Sequence, residues 1–436
     1  MNGQKDELKA LDDIRVLDLA GPMGNYCTKP LADLGADVIK IERPEGDPTR
    51  RIGPFFHDEP RPEKSLYFFS SNTSKRSITL NLDTPDGRDI FKKLSKTADI
   101  IVETFPPGYL AKIGLGYPVL KKINPRLILT SITAFGQTGP YKNFKGSDLI
   151  GLAMSGTLYQ MGFPEDPPVS MGGSWAYHVT SAVAAIGTLT ALYNRDVTGE
   201  GQWVDISMQG AVLRLADWPV SGYTVTKVVT KRSGRELYRG VRDIFACKDG
   251  EVVCSALGGA AAKEMLQWME SEGMVADLRD EKYQDAIALI GGIRRTLGGM
   301  KTATEAEKTL GLDDLPKFAD EVRHIEDVWE AFLMTHTKQE LFEGAQSRGV
   351  RLMPVNDAKD IVNDIHLNAR GYFVDVEHPE LGATLKYPGP PFRLSETPWE
   401  ISRRPPLIGE HNIEIYENEL GFSKEELAIL QAANVI

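Results

Sequence analysis

Between residues 14 and 42 the chain reads IRVLDLA, then GPMG, then a helical stretch to residue 34, then DVIKIE. A short buried strand, a breaker turn, a helix and a second strand within about thirty residues form a βαβ unit, whose strands must run parallel. The alternation continues with a strand over 76–81, and with a helix that Thr84 caps and Pro85 opens. A strand over 98–103 follows, then the turn Phe105-Pro-Pro-Gly108, a helix ending near 114–116, a strand over 127–132 and a loop over 134–139. Residues 65–72 read as a mixed segment. Strands and helices in this order mean an α/β, doubly wound parallel sheet with ligands at the carboxyl ends of the strands. The GPMG turn lacks the full GxGxxG, so it fits a tight turn without phosphate contact as well as a dinucleotide site. Arg43, Arg50 and Arg51 follow the second strand, where a basic cluster can hold a phosphate; solvated surface arginines are the plainer reading.

At 436 residues the chain exceeds one ordinary domain. The pattern changes after residue 211: residues 238–257 read as antiparallel strands, with Lys248-Asp249-Gly250 as the hairpin turn between 242–247 and 252–256. Amphipathic helices are expected from 263 to about 348, with residues 277–315 a charged, glycine-containing, helix-poor insertion. A proline-rich tail from 351 ends in a helix over 423–433, and suits a segment wrapped over another domain or subunit or ordered on the surface. We divide the chain into a first large-domain part (1–215), a linker with a small α+β domain (216–352), and a return to the large domain with the tail (353–436).

The formal net charge of −11 argues against nucleic acid or an anionic membrane as partner. Cys27, Cys247 and Cys254 make no disulfide framework, so reduced thiols and a cytoplasmic protein are expected. The first residues are polar, without the apolar core of a secretory signal. The most apolar run, 179–192, is shorter than the roughly 18–20 residues of a membrane span. That run belongs to the stretch 167–211, where a Gly/Pro-rich turn leads into a helix from about 175 to 195 that presents Tyr177 and His178 at its start.

Many motifs in register resemble the class III CoA-transferases, the CaiB/BaiF or formyl-CoA-transferase-like family. They are Val16-Leu-Asp-Leu, Leu34-Gly-Ala-Asp-Val-Ile-Lys-Ile-Glu-Arg43, Lys75-Arg-Ser-Ile, Asn81-Leu-Asp-Thr-Pro, Ile101-Val-Glu, Pro107-Gly, Asn124-Pro-Arg126, Gly146-Ser-Asp-Leu, Met154-Ser-Gly156 and Thr198-Gly-Glu-Gly-Gln-Trp-Val-Asp-Ile-Ser207. The similarity spans residues 12–212 and resumes at Gly349-Val-Arg-Leu-Met-Pro-Val355 and Asp364-Ile-His-Leu-Asn-Ala-Arg-Gly371. The resemblance implies an interlocked dimer with a Rossmann-like large domain and a small middle domain. It implies a CoA thioester as substrate, with no permanently bound cofactor and no metal. By motif position Arg43, Leu80, Thr104, Phe105 and Lys112 would face CoA, Lys112 replacing an arginine of some relatives and losing its bidentate fork. Gly258 and Gly259, followed by three alanines, depart from the glycine run that covers the nucleophile in some members.

The family's chemistry rests on an aspartate at a helix start. Its carboxylate attacks the thioester carbonyl to give a mixed anhydride, and the released CoA attacks back to give an aspartyl-CoA thioester that the acceptor acid resolves. Ten positions before Gly187 that place holds Tyr177, and no Asp occurs between Pro167 and Arg195. A phenol cannot form the anhydride. Asp148 matches an acidic position of the family, and Ser147 stands where the racemase branch carries a His base. Three readings follow. The chain is the subunit lacking the nucleophile in a two-subunit CoA-transferase, like those for succinate-type and benzylsuccinate-type acids, its homologous sister carrying the aspartate. It is a self-sufficient acyl-CoA enzyme using His178, Tyr177 or Asp148. Or it is a non-catalytic CoA-thioester binding protein. Tyr159, Phe163, Trp175 and Tyr177 are compatible with an aromatic acid or with core packing.

Overall fold

The computed structural model describes residues 9–238, 241–255, 258–297 and 315–436. They divide into two compact units, one of 1–157, 171–215 and 364–436, the other of 158–170 and 216–363.

The first unit is built on β1 (Arg15–Leu19), α1 (Asn25–Asp33), β2 (Asp37–Glu42), α2 (Leu66–Ser71), β3 (Arg76–Thr79), α3 (Pro85–Ser95), β4 (Ile100–Glu103), α4 (Tyr109–Lys112), α5 (Tyr117–Ile123), β5 (Ile128–Thr133), α6 (Asp148–Met154), α7 (Trp175–Thr198), β6 (Trp203–Ser207) and α8 (Met208–Leu213). The six strands form one parallel sheet in the order β3-β2-β1-β4-β5-β6. This is the doubly wound order, whose topological switch lies between β1 and β4. The expected parallel α/β sheet is therefore present, with a helix, α2, where a mixed segment was expected. Both faces are buried, Leu17, Ile39, Ile101 and Leu129 on one and Val16, Val38, Val102 and Ile128 on the other, as a parallel sheet requires. Thr84 caps α3 by accepting the Gly87 N–H at 3.0 Å.

Long α7 lies on the second face through small residues, with Ala184, Ala185, Ala191 and Leu192 in its core. Thr188 meets Thr130 of β5 at 2.7 Å, and Ser181 donates to the Met23 carbonyl at 2.8 Å. The βα turn has a steric reason for its glycine: a Cβ on Gly24 would sit 2.8 Å from the Thr104 methyl and 2.9 Å from Ala20.

Beneath the carboxyl ends of β1 and β2 lies a buried ionic network. Arg50 is 1% exposed; its guanidinium grips both oxygens of Glu42, at 2.6 and 2.7 Å, and lies 3.7 Å from the Phe68 ring centre. The expectation of a solvated or phosphate-binding Arg50 is thus corrected, because its partner lies on β2 itself. Asp18 accepts from Lys75 at 2.9 Å and from Thr28 at 2.6 Å, and Lys40 pairs with Asp47 at 3.0 Å.

The proline-rich tail covers the free edge of β3 in its own unit. His411 donates its N–H to Ser77 O and accepts the Ser77 N–H through Nδ1. Asn412 takes the Thr79 N–H, and the Tyr416 hydroxyl donates to Thr79 O at 2.6 Å. An edge strand otherwise offers open N–H and C=O groups to any extended chain. The tail's last helix, Lys424–Ala432, is capped by Ser423.

The second unit holds α9 (Asp217–Thr226), the antiparallel pair β7 (Glu236–Tyr238) and β8 (Val241–Arg242), and a sheet of β9 (Ile244–Cys247), β10 (Gly250–Cys254) and β11 (Leu352–Pro354). The β9–β10 hairpin forms as expected, while residues 239, 240, 256 and 257 of that region lie outside the described residues. Helices α10 (Gly259–Ser271), α11 (Glu281–Leu297), Ala319–Leu333 and Lys338–Ser347 complete it. Residues 281–297, expected to be helix-poor, are helical because Tyr283, Ala286, Ile287 and Ile290 form a buried stripe at helical spacing, which offsets the glycine penalty. Residues 298–314 of the same expectation lie outside the described residues. The three cysteines are free and buried, and no helix among the described residues is long and apolar enough to cross a membrane.

Removing one partner of a fully buried ion pair leaves an uncompensated charge, which costs about 3–5 kcal/mol. Arg50→Met should therefore lower stability by about that amount in urea unfolding; a loss under about 1 kcal/mol would contradict the role given to this pair.

Candidate active site

Two sets of side chains gather in the first unit, and the first spans the topological switch between β1 and β4. The first lies at the carboxyl edge of β2, β3 and β4. Arg43 follows β2, Leu80 follows β3, and Thr104 and Phe105 follow β4, so the sheet brings together four of the expected CoA-facing residues. Thr104 Oγ1 accepts the Gly21 N–H at 2.7 Å, which ties β4 to the βα turn and engages the turn amide that a dinucleotide phosphate would need. Leu80 is 2% exposed and packs in the core beside the half-buried rings of Phe105 and Tyr109, 4.7 Å apart. Arg43 is exposed and pairs with Asp83 at 3.0 Å, and the Tyr109 hydroxyl donates to the same carboxylate at 2.8 Å. Such an exposed pair contributes little to stability, so Arg43 can exchange Asp83 for a ligand phosphate at small cost. Lys112, at the end of α4, is exposed one turn beyond Tyr109. The sequence motifs marked Arg43 as a CoA contact and included Asp83 without a role, and they did not mark Tyr109; the link of both to Arg43 is tertiary.

The second set surrounds the start of α7. The Tyr177 N–H donates to Asp148 Oδ1 at 3.0 Å, so the carboxylate that opens α6 caps a helix of 24 residues. An anion there is stabilised by the unpaired amides of the first turn. Ser174, at the capping position, makes no side-chain cap bond; instead it engages the Tyr67 hydroxyl. Burial pushes the Tyr177 phenol above its usual value, with the Asp148 charge adding to it, and outweighs the hydrogen bond from the Asp148 backbone that favours the phenolate, so the phenol is protonated at neutral pH. His178 meets the ring of Tyr26 edge-on, centres 5.7 Å apart. Partial loss of solvation lowers its pKa more than the Asp148 charge raises it, so its imidazole is neutral at pH 7. Sequence reasoning placed Tyr177, His178 and Asp148 here but missed Tyr67 and Ser174; Tyr67 lies in the segment that was not read as a helix.

Gly258 and Gly259 belong to the second unit. Gly258 is the extended residue before α10, and Gly259 begins that helix. Ala262 in its first turn is fully buried in the second unit's core, so these residues form a packed helix start rather than a free glycine loop. No group of three or more His, Cys, Asp or Glu side chains suited to a metal occurs among the described residues.

The family model for CoA-transferase family III matches residues 11–331 and 302–412. The chain belongs to CoA-transferase family III. It is 34% identical over 407 residues to the succinyl-CoA:(R)-benzylsuccinate CoA-transferase subunit BbsE of Thauera aromatica, covering 92% of each chain. It is 34% identical over 440 residues to the formyl-CoA:oxalate CoA-transferase of Streptomyces coelicolor, covering 98% of this chain and 99% of that one. The crystal structure of a CAIB/BAIF family protein from Brucella suis matches with a TM-score of 0.78 at 27% identity, over 94% of this chain and 99% of that one. The named relatives are CoA-transferases.

The electrostatics at α7 can be read directly. The Asp148 anion favours imidazolium, so removing it must lower the His178 pKa further. In an NMR titration His178 should titrate below the usual value near 6.5, and lower still in Asp148→Asn; a rise in that variant would contradict the geometry.

Proposed function

We propose that this chain is the subunit of a class III CoA-transferase that holds a CoA thioester without supplying the nucleophile. The observation that carries this reading is Tyr177: a neutral phenol stands at the first turn of α7, where the family chemistry needs a carboxylate. An aryl ester on Tyr177 would be far less activated than an anhydride, and a phenol has no carboxyl to become the enzyme-CoA thioester that the acceptor acid resolves. Asp148 is engaged with the Tyr177 amide, and the neutral His178 packs against Tyr26. The CoA-facing edge, by contrast, keeps its pattern in Arg43, Leu80, Thr104 and Phe105, with Lys112 beyond. Gly258 and Gly259 remain proposed contacts from the second unit.

The partner in this proposal is a homologous sister chain that carries the aspartate, in the interlocked arrangement of the family. Large apolar side chains left open on each unit support a permanent partner. On α7 Ile186, Tyr193 and Val197 are 65%, 75% and 71% exposed, and on α9 Trp218 and Val225 are 68% and 75% exposed. Apolar faces of this kind mark interfaces rather than free surface. The donor is proposed to be succinyl-CoA or a similar thioester, and the acceptor a dicarboxylic acid of the succinate type. An aromatic succinate such as benzylsuccinate is the acceptor that the likeness to BbsE favours. Such a transfer needs no resident cofactor and takes place in the cytoplasm.

The chain purified alone should bind CoA and give no transfer from succinyl-CoA to benzylsuccinate, while mixing with an Asp-bearing sister chain restores turnover. Steady turnover by the single chain would overturn the proposal. Arg43→Ala should weaken CoA binding about tenfold, as loss of one charge-assisted phosphate contact does.

A further inference from the structure

Glu103 is a buried carboxylate for which the transfer chemistry has no use. It closes β4 and is 4% exposed. Its Oε2 accepts the N–H of Phe105 at 2.6 Å, and its carboxylate also bonds the Ser131 hydroxyl. Ser131 in turn accepts the indole N–H of Trp203 at 2.9 Å. The strand register sets Glu103 beside Leu19 of β1 on one side and Ser131 of β5 on the other, with Asp205 of β6 next in the row. Asp205 on β6 makes a related contact, taking the Gln137 N–H of the loop that leaves β5 with both oxygens at 3.0 Å. Carboxylates at the sheet edge thus hold amides of loops that leave it.

We propose that Glu103 is a positioning residue for the coenzyme: by clamping the Phe105 amide it fixes the Thr104–Phe105 turn, which Gly21 grips from the other side. The proposal rests on the reading of that turn as a CoA contact. The clamp is ionic in character. An N–H···O⁻ bond is roughly twice as strong as a neutral one, so protonation of Glu103 slackens the turn. Burial, and after it the charge of Asp205, pushes Glu103 up to about 7. Leu19 is apolar and Ser131 uncharged, so Asp205 is the charged group that bears on it among the described residues. Above its pKa Glu103 is ionised and the clamp is tight; below it the carboxyl is neutral and the clamp loosens.

The test is calorimetric binding of free CoA to the full chain, as wild type, Glu103→Gln and Glu103→Ala, from about pH 6 to about pH 8. CoA phosphates titrate in the same range for every variant, so the readout is the ratio of the Glu103→Gln Kd to the wild-type Kd. The ratio should be near one at the acid end and rise about fivefold at the alkaline end, where wild type alone has the ionic clamp. Glu103→Ala should bind more weakly than Glu103→Gln throughout. A ratio flat with pH would overturn the clamp while leaving the CoA site intact, and the Gln variant, nearly isosteric, carries this outcome if the Ala variant fails to fold. Absence of CoA binding by wild type would overturn the reading of the sheet edge and the clamp together.

Discussion

The ionic network under β1 and β2 is the constraint on which the rest of the first unit depends. Asp18 and Lys40 sit on neighbouring parallel strands, Lys75 precedes β3, and all three side chains are fully buried. Burial opposes the charge on Lys40, but Asp18, Asp47 and Glu42 outweigh it and hold its ammonium above the usual value. Lys75 is pushed the other way, burial prevailing over the attraction of Asp18. Ions taken out of water are tolerated only when each is paired and hydrogen-bonded. That requirement fixes the register of three strands and the turn after β1. Lys75 also donates to Asn72 Oδ1 and to the Asn25 carbonyl, so α1 and the end of α2 are set by the same charges.

The site inherits this rigidity. The turn after β1 is tied by Gly21 to Thr104, and Ser181 ties α7 to Met23 in the same turn. A displacement of the network would therefore move both the carboxyl edge of the sheet and the start of α7. In the proposed reading, what sets this chain apart at α7 is the chemistry of one side chain, Tyr177. With a carboxylate at position 177 the helix start would hold a nucleophile within a field already shaped by Asp148. With Tyr177 it holds a neutral phenol, and the field of the helix start is satisfied by Asp148 alone.

Much of the sheet was legible in the sequence because its strands are apolar on both faces and their turns carry recognisable caps, as at Thr84 and Pro85. The hairpin at Lys248-Asp249-Gly250 was legible for the same local reason. What could not be read was set by partners distant in sequence. Arg50 looks like a surface arginine until Glu42 and the Pro406 carbonyl, far along the chain, enclose it. The helix over 281–297 was obscured by charge and glycine, and its buried stripe has meaning only against the second unit's core. The family motifs singled out Arg43, Thr104, Tyr177 and Asp148 as candidates. The contacts of Asp83 with Arg43, of Tyr67 with Ser174 and of Glu103 with the Phe105 amide needed the folded chain.

The central claim is that the acyl group never becomes attached to this chain. Intact-mass spectrometry of the acid-quenched two-chain assembly, after brief exposure to succinyl-CoA without acceptor, separates the two possibilities directly. The account predicts a covalent adduct on the Asp-bearing sister chain and an unchanged mass for this one. An adduct on this chain, mapped to the peptide that contains Tyr177 and His178, would contradict it.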